Sequence, residues 1–220
     1  MSDMGITDPK RQPVERMSPA AVRQVVAFDF DGTLTVRDSF TAFLKWRAGP
    51  LGWALAMARL VPAALAYLGH RDRGRIKAAA VAAFLGGTGR KALEADAERF
   101  ADAIWSRFMR PDALACWDDW GRKGAHRVIV TASPEITVVP FARRLGAENL
   151  LGTHMAFDDT DRVTGAFTGP NCRGEEKMRR LRAAYGDDVR VLAAYGDTSG
   201  DTEMLAAAEE PGFRVFRQRP

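Results

Sequence analysis

Val25-Val26-Ala27-Phe28-Asp29-Phe30-Asp31-Gly32-Thr33 is the stretch of sequence that decides the fold. Its four consecutive apolar residues indicate a strand that is buried on both faces, the usual pattern in a parallel sheet. Two similar apolar runs occur later, at residues 128–130 and 189–194, and each is followed by residues with hydroxyl or carboxylate groups. The chain therefore contains three predicted core strands with reactive groups at their ends.

Helical patterns separate these strands. They cover residues 112–122, 135–145, 175–185 and 201–208. Strands that alternate with helices predict an α/β fold, a doubly wound parallel sheet of the Rossmann-like kind. Residues 154–157 and 162–168 have short β-like patterns on either side of a turn, which predicts a hairpin, and a last short strand is predicted at residues 213–216.

The interval between the first two core strands contains only helical patterns, at residues 40–47, 51–68, 76–85 and 93–109. Such a block predicts a helical cap domain, residues 37–110, inserted after the first strand. The α/β core then comprises residues 22–36 and 111–220. Residues 1–21 contain three prolines, mixed charges and no apolar run, so we expect a flexible tail without a secretion signal.

Composition excludes several classes of protein. Of the 220 residues, 46% are hydrophobic and 27% are charged, which excludes a disordered chain, a collagen or a low-complexity fibre. The net charge of +4 suits anionic partners but is too diffuse to indicate nucleic-acid binding, and we expect none. The two cysteines, Cys116 and Cys172, form no disulfide framework, so we expect reduced thiols in a cytoplasmic protein.

Acidic and hydroxyl side chains follow all three core strands. Asp29 and Asp31 follow the first, Thr131 follows the second, and Asp197 and Asp201 follow the third. Ligands of open parallel sheets bind at the carboxyl ends of the strands. A single aspartate there is commonly a helix cap, but three strand ends with these residue types predict one shared reactive site.

The motifs at these positions resemble those of a known family. Residues 29–35, Thr131, Lys177 and residues 196–201 resemble, in order, the four signature motifs of the haloacid dehalogenase-like hydrolases. The resemblance covers about residues 22–216. The helical insert is similar to that of the phosphoserine-phosphatase-like branch, subfamily IB, and residues 171–177 with the apolar insert most resemble the phosphatidylglycerophosphatase C group.

The resemblance implies a phosphatase that forms an aspartyl-phosphate. Asp29 would attack phosphorus, and Asp31 would protonate the leaving alkoxide and then activate water. Thr131 would bind a phosphoryl oxygen, and Lys177 would offset the negative charge of Asp29 and the phosphoryl group. An alternative interpretation of Lys177 is a solvated lysine on a helix.

The resemblance also implies Mg²⁺, because two carboxylates would otherwise repel a phosphate dianion. Asp29 and Asp197 would offer carboxylate ligands, Asp31 its backbone carbonyl, and Asp201 an orienting carboxylate beyond the direct ligands. Magnesium prefers hard oxygen ligands of this kind. The metal would neutralise charge and orient the substrate.

Further residues are predicted to bind the phosphate or to recognise the rest of the substrate. Gly32 and Ala132 are predicted to bring the backbone close to the phosphate. Phosphoserine phosphatases typically have serine at the position of Gly32 and Ser-Gly-Gly where this chain has residues 131–133, so the chain departs from them twice. Asp38 and Arg75 nevertheless lie near the positions where that family recognises an amine and a carboxylate.

Residues 50–69 bear on the choice of substrate. They include one charged residue, Arg59, and basic residues lie on both sides. The segment fits a helix at a membrane interface, a buried helix of the cap, or a true span, although Arg59 would make a span costly by about 2.5–3.5 kcal/mol.

Two substrate classes and one non-enzymatic role therefore stay open. We expect a phospholipid head-group monoester such as phosphatidylglycerophosphate, hydrolysed at the inner face of the membrane with contact to anionic lipid through residues 50–77. The alternative is a small soluble phosphomonoester such as phosphoserine. A further alternative is a module that binds phosphorylated ligands or proteins without turnover.

Overall fold

A computed structural model describes residues 24–70 and 73–220 of the chain, with the side chains of residues 62–76 excepted. The predicted tail, residues 1–21, lies outside this part. So do the side chain of Arg75 and those of the basic residues just before it.

Six strands form one sheet in the order β4-β3-β2-β1-β5-β6. They are β1 (Gln24–Phe28), β2 (His126–Pro134), β3 (Asn149–Phe157), β4 (Val163–Thr168), β5 (Arg190–Gly196) and β6 (Ala208–Phe213). All neighbours pair in parallel except β3 and β4, which form an antiparallel hairpin at one edge. The predicted α/β fold and the predicted hairpin are both confirmed.

Seven helices are present in the described ranges. They are α1 (Ser39–His70), α2 (Arg73–Leu85), α3 (Arg90–Phe108), α4 (Pro111–Arg122), α5 (Glu135–Leu145), α6 (Glu175–Tyr185) and α7 (Thr202–Ala206). A tight turn, Phe30–Leu34, follows β1 directly. The two helical patterns at residues 40–47 and 51–68 belong to α1, which is broken at Gly49 by a φ of 63°.

The sheet has a hydrophobic core on each face. Val26 and Phe28 of β1 pack into a cluster with residues of α3, α4 and α5. Val25 and Ala27, which alternate with them, pack into a second cluster with residues of α6 and α7. Because successive side chains of a strand point to opposite faces, a strand between two helix layers must be apolar throughout. The apolar run of β1 is explained by this double burial.

The helical insert leaves and rejoins the sheet at adjacent points. Thr35 and Met109 form an isolated antiparallel bridge. The N–H of Val36 donates to the carbonyl of Phe108 at 2.9 Å, and the N–H of Arg110 donates to the carbonyl of Leu34 at 2.9 Å. Helices α1, α2 and α3 lie between these two crossings. Their division from the core as a separate cap domain, residues 37–110, stays a prediction.

Helix α1 buries one side and exposes the other. Trp53 packs against Phe84 of α2, with ring centroids 4.9 Å apart. The outer face of α1, defined here as Leu51, Leu55, Met57 and Val61, is exposed, and Leu51 retains 74% of its accessible surface. Across the described residues, no helix combines the length and hydrophobicity needed to cross a bilayer.

The last strand differs from the sequence prediction. A strand was expected at residues 213–216, but β6 ends at Phe213. Its sequence is charged and includes Pro211, so it has no apolar run to identify it, as is tolerated at a sheet edge. Phe216 is instead a packing residue after the strand, and its ring lies 5.2 Å from that of Tyr195.

Candidate active site

Three carboxylates meet at the carboxyl edge of the sheet. Asp29 follows β1, and Asp197 and Asp201 follow β5, the neighbouring strand. One carboxylate oxygen from each of the three lies within 4.8 Å of the others. The parallel pairing of β1 with β5 brings these residues together, because it places the ends of both strands at one edge.

Lys177 lies between two of these carboxylates. Its Nζ donates to Asp29 Oδ1 and to Asp201 Oδ1, both at 2.6 Å. The lysine retains only 1% of its accessible surface, so the alternative of a solvated helix lysine is wrong. It is delivered by α6, whose apolar residues pack on the opposite side of the sheet from α3 to α5.

Burial and neighbouring charges shift the pKa values of Lys177, Asp29 and Asp201 in opposite directions. Burial raises the pKa of Asp29 to about 7, against the lowering effect of Lys177. Burial by itself would lower the pKa of Lys177, but the charges of Asp29 and Asp201 raise it overall. For Asp201, burial would raise the pKa and Lys177 brings it below its usual value. The lysine therefore stays charged and holds both carboxylates in place.

Asp31 is held by hydrogen bonds to both of its carboxylate oxygens. The N–H of Ser39, at the start of α1, donates to Oδ1 at 2.6 Å. The hydroxyl of Ser133, at the end of β2, donates to Oδ2 at 2.5 Å. Burial and the nearby charge of Asp38 raise the pKa of Asp31 despite these bonds. A raised pKa suits a group that must donate a proton.

Among the three clustered carboxylates, Asp197 has a buried oxygen, Oδ1, without a hydrogen-bond partner in the described residues. Its other oxygen lies so close to Gly32 that a Cβ there would collide with it, and Gly32 has a φ of 82°. Any other residue at position 32 would displace this carboxylate or strain the turn.

These residues fit a divalent cation such as Mg²⁺. The donors are hard carboxylate oxygens, and an orphaned buried oxygen of Asp197 would gain a partner from a cation. The two oxygens of Asp201 are already engaged, by Lys177 on one side and by the backbone N–H and hydroxyl of Thr198 on the other. Asp201 is thus suited to orient the loop after β5.

The end of β2 faces these carboxylates. Thr131 is fully buried, and its Oγ1 accepts the N–H of Ser133 at 3.0 Å. The carbonyl of Ala132 accepts from the hydroxyl of Thr153 at 2.8 Å and from Lys77. Ala132 and Ser133, rather than the side chain of Thr131, line the cavity described next.

A cavity of about 660 Å³ opens over this edge. Asp29, Asp31 and Asp197 form its floor, together with Gly32. Four apolar residues of the insert and of the chain leading into it also line the cavity, and so do four basic residues. The apolar residues are Val36, Phe40, Leu44 and Ala80, and the basic residues are Arg37, Lys77, Arg110 and Arg173.

The two predicted substrate-recognition residues differ in outcome. Asp38 lines the cavity, but its Oδ1 also accepts the N–H of Thr41 at 2.6 Å, so it caps the start of α1. The side chain of Arg75 lies outside the part of the chain that the structure describes.

Three residues of the site, Ser133, Asn171 and Arg110, have no role in the sequence prediction, and Lys77, expected among the basic residues that contact anionic lipid, instead reaches into the site. Ser133 contacts Asp31, Lys77 and Asn171 contact each other at 3.2 Å, and Arg110 donates to the carbonyls of Gly32 and Thr35 at 3.2 and 3.1 Å. Ser133 is two residues from Thr131 and was within reach of sequence reasoning. The positions of the others depend on how α2 and the insert pack.

Comparison with known proteins agrees with this geometry. A family model for haloacid dehalogenase-like hydrolases matches residues 26–206. Protein CicA of Caulobacter vibrioides is 57% identical over 196 residues, which cover 89% of this chain and 88% of that protein. A probable phosphatase of Mycobacterium tuberculosis is 38% identical over 90 residues, 38% of this chain and 30% of that one.

A solved structure shares the fold. A phospho-aspartyl intermediate analogue of phosphoserine phosphatase aligns with a TM-score of 0.56 and 18% identity, over 85% of this chain and 84% of that one. The family match extends from β1 into α7 and so includes all the carboxylates of the site. The chain belongs to the haloacid dehalogenase-like hydrolase family.

Proposed function

We propose that this hydrolase is a phosphatase, that it hydrolyses a phosphate monoester through a phosphorylated Asp29 with Mg²⁺ as cofactor, and that its substrate is a phospholipid head-group phosphate such as phosphatidylglycerophosphate. The observation that carries the mechanism is the joint placement of Asp29, Asp31 and Asp197 on the floor of one cavity, with Lys177 buried behind Asp29. Phosphate monoesters hydrolyse very slowly in water, so an enzyme that cleaves them must lower a large activation barrier. These groups would act on that barrier together.

In the first step, Asp29 attacks phosphorus while the bond to the leaving oxygen breaks. Lys177 holds Asp29 Oδ1 at 2.6 Å and so directs Oδ2 to the substrate. Asp31 gives its proton to the leaving alkoxide, and the bonds from Ser39 and Ser133 keep its carboxyl in place. Asp29 and Asp197 would hold Mg²⁺, which when bound neutralises the charge of the phosphoryl oxygens.

In the second step, Asp31 takes a proton from water, which attacks the phosphorus of the aspartyl-phosphate. Inorganic phosphate leaves and the carboxylate of Asp29 is restored. One carboxyl therefore serves as acid and then as base, and its raised pKa favours the first of these roles. The protein's atoms return to their starting state after each turnover.

The lipid substrate is supported by the insert. Residues 37–110 contain 13 basic and six acidic residues, a net charge of +7, whereas the rest of the chain has 19 basic and 22 acidic residues. The outer face of α1 is apolar and exposed in the same region. Apolar side chains amid basic charge suit an anionic membrane surface. The apolar residues that line the cavity would then receive the part of the lipid next to the phosphate.

A soluble phosphomonoester such as phosphoserine is the second candidate. It is favoured by Asp38, a carboxylate that lines the cavity and could receive a substrate amine. Its hydrogen bond to Thr41 occupies one of its two oxygens. Under this alternative the outer face of α1 would have no part in substrate recognition.

The test is phosphate release in the presence of Mg²⁺. It compares phosphatidylglycerophosphate in anionic liposomes with soluble phosphoserine, and Asp29→Asn is the blank. Faster turnover of the lipid supports the proposal, and faster turnover of phosphoserine selects the second candidate. Equal activity of wild type and Asp29→Asn refutes the mechanism. Stabilisation by beryllium trifluoride with Mg²⁺ but no turnover of any monoester would indicate a binding module.

A further inference from the structure

Lys77 is a half-buried lysine that reaches the catalytic edge from helix α2. Its Nζ donates to the carbonyl of Ala132 and to Asn171 Oδ1, the latter at 3.2 Å. The ammonium also lies 5.3 Å from the centre of the Phe167 ring on β4. A single side chain of the insert thus contacts the end of β2, the hairpin and the segment before α6.

The contact with Ala132 fixes a peptide group. The carbonyl of Ala132 accepts from Lys77 and from the hydroxyl of Thr153. The N–H of the same peptide, which belongs to Ser133, donates to Thr131 Oγ1 at 3.0 Å. Both polar atoms of this peptide are therefore engaged, and rotation of its plane would break hydrogen bonds that are buried.

The orientation of that peptide determines where Ser133 points. The Ser133 hydroxyl donates to Asp31 at 2.5 Å, and Asp31 is the proposed proton donor. Ala132 and Ser133 also line the cavity in which the phosphate would lie. A rotated peptide would displace the partner of Asp31.

Asn171 completes the network. Its Oδ1 lies 3.2 Å from Lys77 Nζ and 3.0 Å from the hydroxyl of Thr153, whose oxygen accepts the N–H of Cys172 at 3.1 Å. Burial lowers the pKa of Lys77, and the carboxylates of Asp31 and Asp38 oppose that effect. The lysine is thus held in a site with several partners rather than exposed to solvent.

We infer that Lys77 is a positioning residue for the phosphatase reaction: from α2, it holds the Ala132–Ser133 peptide in the orientation in which Ser133 contacts Asp31. This inference rests on the proposed function only in taking Asp31 as the group that donates the proton. It differs from a substrate-binding role, in which Lys77 would contact an anionic leaving group. The two roles predict different kinetics.

The experiment compares Lys77→Met with Lys77→Arg. Lys77→Met keeps an unbranched side chain of similar length but removes the positive charge and the hydrogen-bond donors. Lys77→Arg keeps the charge and the donors. Lys45→Met is the matched control, because Lys45 is an exposed lysine of α1. The substrates are p-nitrophenyl phosphate, whose leaving group carries no carboxylate, and phosphoserine, whose leaving group does.

We expect kcat of Lys77→Met to fall roughly 10- to 100-fold with both substrates, as for a small misplacement of a reacting group, with KM little changed. Lys77→Arg should recover part of the loss. Lys45→Met should match wild type. A rise of KM with phosphoserine alone, at unchanged kcat, would overturn the inference in favour of substrate binding. Wild-type kinetics of Lys77→Met would overturn it as well.

Amide hydrogen exchange provides a readout that needs no turnover. In Lys77→Met, the amides of residues 131–133 should exchange faster, while those of β5 keep their protection. Unchanged exchange at residues 131–133 would contradict the inference. If Lys77→Met does not fold, Lys77→Gln replaces it in both measurements. Absence of Asp29-dependent turnover in wild type would refute the proposed function and leave the exchange test of Lys77 intact.

Discussion

The carboxyl edge of the sheet and the outer face of α1 are built in opposite ways. At the sheet edge, Asp29, Asp31 and Asp201 each have partners at 2.5–2.6 Å, and Lys177 has almost no exposed surface. On the outer face of α1, leucine, methionine and valine side chains are exposed. The first region is organised before any ligand arrives. The second would gain free energy by contact with an apolar surface. Variants at the sheet edge therefore test the chemical step, and variants on the outer face of α1 test docking to a membrane surface.

The largest expected effect is at the nucleophile. Asp29→Asn keeps the shape of the side chain but removes the attacking oxygen, so turnover of any monoester should fall on the order of 10⁴-fold or more. Phosphate release measures it, with circular dichroism to verify that the variant is folded. Substantial residual turnover would mean that the sheet edge is not the reacting region. The contrast between the sheet edge and the outer face of α1 would then be wrong.

Lys177→Met tests the organisation of the sheet edge through stability. The change leaves Asp29 and Asp201 buried without their shared cation, so we expect a loss of about 3–5 kcal/mol in the free energy of unfolding, measured with urea. Lys123→Met is the matched control, because Lys123 pairs with Asp119 at an exposed position on the surface. Its effect should be small. Equal losses in the two variants would contradict the special role of burial.

Leu51→Ser with Leu55→Ser tests the outer face of α1. Removing two exposed leucines should weaken binding to anionic liposomes by roughly tenfold for each leucine that enters the lipid. Co-sedimentation measures the binding, and turnover of p-nitrophenyl phosphate reports whether the sheet edge is intact.

Val139→Ser on α5 is the control for that experiment, since Val139 is also exposed but lies outside the insert. If all three proteins bind liposomes equally, the outer face of α1 has no role in lipid contact. The soluble phosphomonoester then becomes the better candidate. A strong decrease of binding at high salt in wild type would add support for anionic lipid.

The smallest expected effect is at the other end of the sheet. Burial lowers the pKa of His126, whose Nε2 lies 3.0 Å from the Tyr185 hydroxyl. The unfolded chain therefore binds a proton more readily than the folded one, and stability should decrease as the pH falls through about 6.5. His126→Gln should lose less stability than wild type between pH 7.5 and pH 5, as measured by urea unfolding. An identical loss would assign the pH dependence to other groups.

The sequence was sufficient for the sheet edge because chemistry and strand ends coincide there. Asp29 and Asp197 are recognisable from their positions after apolar runs, and the parallel pairing follows from the alternation of strands and helices. Lys177 was predicted near them from the resemblance alone, since nothing in the pattern of α6 indicates that a lysine is fully buried. Its burial becomes clear only when α6 is packed on the sheet.

The contacts of the insert were beyond sequence reasoning. Lys77 looks like one more basic residue in a charged stretch, and its contact with Ala132 depends on how α2 lies over the hairpin. Asp38 was predicted to bind substrate, whereas its bond to Thr41 also makes it a helix cap. β6 was misplaced because its charged edge sequence lacks the apolar pattern of an internal strand. A tertiary contact decided the role of Lys77, whereas the contact of Asp38 is local and the difference at β6 comes from its position at the sheet edge.

The sequence of β6 has a consequence for how copies of this chain meet. An open sheet edge presents unpaired backbone groups that another strand can bind, which is a common route to aggregation. β6 carries Glu209 and Glu210, both exposed, followed by Pro211, which has no N–H to donate. Glu209 pairs with Arg190 of β5, so a second copy docking edge to edge would meet the charge of Glu210 and the missing N–H of Pro211. The sheet is thus protected against extension into a fibre along this edge.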